Sequence, residues 1–123
     1  MLNNSFVKFI IIFMLGSNVY AYNHYVKCPD LRVIRVSSSK LVEAALVNGA
    51  YIANTMPYAI SAQNKSWFAV VYNINAATAK EALATGKLAM QSVIVQDNPY
   101  ANNLGGIFVC DYDNRKVEVI NNE

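Results

Sequence analysis

The chain of 123 residues lacks most of what would make its chemistry easy to read: it has one histidine, one tryptophan and two cysteines, and only 15% of its residues are charged. No apolar run approaches the roughly 20 residues that a membrane-spanning helix needs. No three basic residues stand together, so the clustered positive patch that nucleic acid or an anionic membrane surface calls for is missing. No G-x-S-x-G, H-E-x-x-H or P-loop spacing occurs, and one histidine does not furnish a hydrolytic or zinc constellation. With 54% hydrophobic residues the chain is also too apolar for a disordered polar protein. The length fits one domain. These absences predict no enzyme and no cofactor.

What is present begins with a three-part export signal. Lys8 and the amino terminus give a positive start, Phe9-Ile10-Ile11-Ile12-Phe13-Met14-Leu15 an apolar run, and Val19-Tyr20-Ala21 a small-residue cleavage site. Residues 1–21 are therefore read as a signal peptide and residues 22–123 as a single exported α+β domain, secreted or periplasmic, with no membrane segment after cleavage. That mature chain carries nine basic and eight acidic residues. In an exported chain Cys28 and Cys110 read as one disulfide, because two cysteines allow one pairing and neither a C-x-x-C motif nor a third metal ligand accompanies them. It encloses a loop that the chain-entropy model values at roughly 4.5 kcal/mol.

The pattern of elements follows from periodicity. Residues 75–94 read as one long helix, capped by Asn75 or by the Thr78–Glu81 box, with an apolar stripe through Ala79, Ala82, Leu83, Gly86, Met90 and Val93. Gly86 lies inside that stripe, which suggests a close approach to a sheet. Residues 66–74 read as a central strand with Trp67, Ala69 and Val71 on one face and Phe68, Val70, Tyr72 and Ile74 on the other. Residues 107–112 and 116–120 read as a hairpin turned at Asp113-Asn114-Arg115. Residues 41–47 fit either a helix capped by Ser39 or the first arm of a hairpin turning at Asn48-Gly49. One helical turn is expected after Cys28-Pro29. The sum is a small antiparallel sheet with one long helix packed on one face, stapled by one disulfide.

Cys28-Pro29 followed by Ile34, Trp67 opening a strand, Asn75-Ala76-Ala77-Thr78-Ala79 leading an alanine-rich helix, and Cys110-Asp111-Tyr112 resemble domain-of-unknown-function family 4949. Its members are small exported bacterial proteins. The resemblance implies an exported two-cysteine α+β domain and brings no activity. Where members often carry a Trp in the first half, this chain has Tyr51.

Candidate functional residues are few. Seven tyrosines fall in residues 22–123, and tyrosine suits interfaces because it buries area yet keeps a polar tip. The polar stretch 97–106 presents Tyr100 and Leu104 as the candidate binding residues, with another protein as the expected partner. Asp111 and Asp113 alternate on a strand but are too few for a calcium loop. Glu81 and Glu118 read as ordinary surface carboxylates. If cleavage follows Ala21, the new amine, two amide nitrogens and the imidazole of Tyr22-Asn23-His24 form a square-planar donor set for Cu(II) or Ni(II). The reading is an exported binding or host-interaction protein; the alternative is a metal-binding one.

Overall fold

The computed structural model describes residues 25–122. The expected signal segment and the terminal set Tyr22, Asn23 and His24 lie outside the described residues. After Cys28-Pro29, Asp30 accepts from Val33 N at 3.1 Å and caps α1 (Leu31–Val36), the expected helical turn. A 3-10 turn (Ser37–Lys40) then leads into β1 (Leu41–Val47). The alternative at residues 41–47 is thereby decided. Asn48 and Gly49 both have positive φ, 51° and 86°, in the two-residue turn to β2 (Ala50–Thr55). Such a turn matches the natural twist of paired strands and overrides a short run's helical option.

Two further hairpins use the same device. β3 (Ile60–Ala62) meets β4 (Lys65–Ile74) through Gln63 and Asn64, and β5 (Asn102–Leu104) meets β6 (Ile107–Tyr112) through Gly105 and Gly106, all four at positive φ. β7 (Val117–Asn121) follows a longer turn. The strands form one antiparallel sheet in the order β1-β2-β4-β7-β6-β5, with β3 pairing the beginning of β4. β4 is long enough to serve β3 at one end and β2 at the other. Between them Thr55 Oγ1 accepts from Ala69 N at 2.9 Å.

The expected 20-residue helix is corrected. α2 (Ala79–Gln91) has 13 residues, and α1 accompanies it. Its start is fixed by Thr78 accepting from Glu81 N at 3.2 Å, while Glu81 accepts from Ala77 N at 3.1 Å. That box leaves residues 75–77 outside. At the other end Val93, Ile94 and Val95 are β-branched, and the Val93 carbonyl and the Ile94 and Val95 amides are taken by other elements. Arg35 Nε and Nη2 hold Val93 O at 3.0 and 2.8 Å, and Asp113 Oδ1 receives Ile94 N and Val95 N. The helix stops because the continuation has better partners.

α2 lies across β1, β2 and β4. Ala82, Gly86 and Met90 are buried there and Leu83 half-buried, as the stripe predicts, whereas Ala79 is exposed. Gly86 is where helix and sheet come closest. A Cβ there would stand 3.2 Å from Leu41 Cδ1 and 3.3 Å from Ala53 Cβ and Ile74 Cδ1. Trp67, Ala69 and Val71 share this core with Ile34, Cys110, Tyr112, Val117 and Val119. Phe68, Val70, Val109 and Ile120 cluster on the opposite face.

Ile74 departs from the expected alternation. It joins the helix-side core, because Asn73 takes φ 54° and the β2–β4 register slips between Tyr51 and Ala53. One bulged residue reverses the face of everything after it. The disulfide forms as expected, Cys28 to Cys110 with Cα atoms 5.7 Å apart, joining the segment before α1 to a central part of β6.

Candidate functional site

The chain after α2 does not leave the sheet as a free loop. Residues 93–101 form a strap beside β6. Asp97 N donates to Asp111 O at 3.0 Å, and Gln96 bridges Tyr112. On the strap's other side, Cys28 N donates to Pro99 O at 3.0 Å and Ala101 N to Val26 O at 2.7 Å, with Lys27 bridging Tyr100. Cys28 thus reaches the strap through its amide and β6 through its sulfur. Two aspartates lock the strap to the β6–β7 turn. Asp113 Oδ1 accepts Ile94 N and Val95 N at 3.0 and 2.9 Å, and Asp97 accepts Asn114 N and Arg115 N, both at 3.1 Å. Asp113, Asn114 and Arg115 all have positive φ, and the Asp97 carboxylate fills the concavity of amides that this conformation makes.

From this satisfied backbone apolar side chains project outward. Tyr25 is 81% exposed, Ile94 73% and Tyr100 47%. The rings of Tyr25 and Tyr100 meet with centroids 5.4 Å apart at a tilt of 53°. The geometry is that of a tilted aromatic pair. On a backbone held from both sides, the Tyr100 ring loses little main-chain freedom when it meets a partner.

Of the expected site residues, Tyr100 lies in this surface. Leu104 does not: it is half-buried and packs with the cluster of Phe68, Val70, Val109 and Ile120. The expected loop 97–106 is part strap and part edge strand, so its two hydrophobic residues serve different contacts. Tyr25 is the residue that sequence reading missed. It stands 75 positions from Tyr100, and the available signal was its nearness to Cys28 together with that of Tyr100 to Cys110. Asp111 and Asp113 do not face one another as a cation pair, because Asp113 turns to the strap.

Asp111 belongs instead to a buried polar group on the sheet face away from α2. It pairs directly across the strands with Glu118, which is 2% exposed and no surface carboxylate. Tyr72 Oη donates to Glu118 Oε1 at 2.8 Å. Burial, then the Asp111 carboxyl alongside, pushes Glu118 up to about 8. Burial, followed by the Glu118 charge, also pushes the Tyr72 phenol far above its ordinary value. Tyr112, on the helix-side face, is raised by burial and then by the fields of Asp30 and Asp111, and its hydroxyl donates to Pro29 O. Lys116 is lowered by burial while its Nζ donates to Asn73 O at 2.9 Å.

Among the described residues no group of three or more His, Cys, Asp or Glu is placed to hold a metal, and no helix is long and apolar enough to cross a membrane. A surface concavity at the β3–β4 turn, lined by Ser61, Ala62, Gln63, Asn64, Lys65 and Ser66, includes none of the expected site residues. No family model, curated protein or solved structure matches the chain.

Proposed function

We propose that the chain is an exported, disulfide-stapled binding domain that recognises another protein through the aromatic surface of Tyr25 and Tyr100. The observation that carries this reading is the exposed ring pair in which Tyr100, on a strap that Cys28, Asp97 and Asp113 hold in place, meets Tyr25 from the segment before Cys28. Large aromatic rings with few rotatable bonds are the residues that most often dominate binding energy at protein interfaces. Export is supported by the signal-like segment 1–21 and by the disulfide. Another protein is favoured over a nucleic acid because the mature chain is close to charge balance and its basic residues are scattered.

The test is photo-crosslinking in the producing culture, with a benzophenone side chain at position 100 and, as control, at the exposed helix position Leu88. Position 100 should give a discrete adduct that Tyr25→Ala weakens and that Leu88 does not give. Equal labelling from both positions, or an adduct indifferent to Tyr25, would remove the aromatic pair from the binding surface.

A further inference from the structure

The buried polar group on the far face of the sheet is independent of the strap and has its own logic. Asp111 on β6 and Glu118 on β7 are directly opposed, and their shared surroundings include Val70, Val109 and Ile120. Asp111 is 7% exposed, and its Oδ1 has no hydrogen-bond partner. From β4, Tyr72 offers its hydroxyl to Glu118 Oε1. From the β6–β7 turn, Arg115 stands 4.0 Å from Asp111 Oδ2 with its own side chain 75% exposed, and Lys116 is engaged by Asn73 O. One distant, solvated cation does not neutralise two adjacent buried carboxylates.

We propose that Asp111 and Glu118 share a single proton, carried by the free oxygen of Glu118 and donated to Asp111 Oδ1, so that the β6–β7 hairpin is latched in acid and loosened when the proton leaves. The orphaned acceptor then has its donor: Tyr72 serves Glu118 Oε1 and Glu118 serves Asp111 Oδ1, while Arg115 stays 4.0 Å from Asp111 Oδ2. The elevated affinity of Glu118 for its proton agrees with this arrangement. Because the hairpin carries Cys110 and anchors the strap through Asp97 and Asp113, loss of the proton bears on the exposed surface as well as on stability. The pair thereby contributes more stability in acid than in mild alkali.

The experiment is a urea-unfolding series of the oxidised protein between about pH 5 and pH 9, run on the wild type and on Glu118→Gln. The amide can accept from Tyr72 and donate to Asp111 without titrating. The wild type should lose stability as pH rises, the unfolding constant growing by up to about tenfold per pH unit where the native state holds one more proton than the unfolded one. Glu118→Gln should give a flatter profile and exceed the wild type at pH 9. Two parallel profiles would overturn the proposal. If Glu118→Gln does not fold, infrared titration of the wild type decides: a protonated-carboxyl band persisting at neutral pH and lost on alkalinisation supports the shared proton, and its absence at neutral pH overturns it.

Discussion

Asp113 and Glu118 are five residues apart in one hairpin, yet their carboxyls do opposite work. Asp113 receives two amides of the strap, Ile94 N and Val95 N. It also sits at φ 51°, which Asp and Asn tolerate better than most residues. Asp113→Ala should therefore cost about 1–2 kcal/mol, while Asp113→Asn, which keeps both the acceptor and the backbone tolerance, should cost well under about 1 kcal/mol. Chemical denaturation of the two variants checks this. An equal loss in both would mean that the charge, and not the hydrogen bonds, holds the strap. At the terminal set outside the described residues, Tyr22-Asn23-His24 carries a separate expectation. If the mature chain starts at Tyr22, equimolar Cu(II) should produce a visible d–d band near neutral pH that His24→Ala abolishes; no band in the wild type removes the metal-binding alternative.

At the scale of elements, two glycines separate the two reasons a glycine is kept. Gly49 has φ 86° and nothing within 4 Å of a hypothetical Cβ, so Gly49→Ala tests backbone strain alone and should cost about 1–2 kcal/mol. Gly86 is in the helix interior, where Ala is intrinsically better by about 1 kcal/mol, but its Cβ would press on Leu41, Ala53 and Ile74 at 3.2–3.3 Å. Two of those neighbours are flexible side-chain ends and Ala53 is not. Overpacking costs about 1–3 kcal/mol, so Gly86→Ala should lose about 1 kcal/mol net, and a stabilised variant would show that α2 can lift from the sheet without penalty. Thermal unfolding distinguishes the cases.

These elements also show what the sequence could and could not convey. Turn chemistry and residue type carried far: the strand pattern around Trp67, the hairpin at Asn48-Gly49, the glycine in the helix stripe and the cysteine pair are all in the structure. What failed was anything set by a remote partner. The helix was expected to run to residue 94, but Arg35 and Asp113 claim the backbone groups that would extend it. Ile74 was placed on the wrong face because Asn73 breaks the alternation without a glycine to announce it. β5 was hidden in a polar stretch, since a three-residue edge strand carries almost no periodic signal. Half of the candidate site was legible as Tyr100. Tyr25 and the burial of Glu118 were not, because both depend on which strands become neighbours.

For the whole molecule, the disulfide ties the segment before α1 to β6, with the strap hydrogen-bonded to both. The strap is otherwise fixed by hydrogen bonds largely open to solvent, each of which contributes about 1 kcal/mol. Reduction should therefore lower stability by roughly 2–5 kcal/mol and loosen residues 25–30 and 93–101 before the sheet. Amide exchange of the reduced protein reports this directly, and uniform loss of protection across the molecule would contradict it. Acid moves stability the other way from a simple paired carboxylate. With Glu118 raised from 4.5 to about 8, the native state holds the extra proton between those values, so stability is fullest below the lower one and is lost as pH rises through the upper one.

Export and the joining of Cys28 to Cys110 are both read by the intact mass of the protein recovered outside the cytoplasm, with alkylation before and after reduction. The prediction is a mass that begins at Tyr22, takes up no alkylating agent until reduced, and then takes up two equivalents. A mass retaining residues 1–21, or two thiols alkylated without reduction, would contradict it and leave the aromatic strap without its clamp.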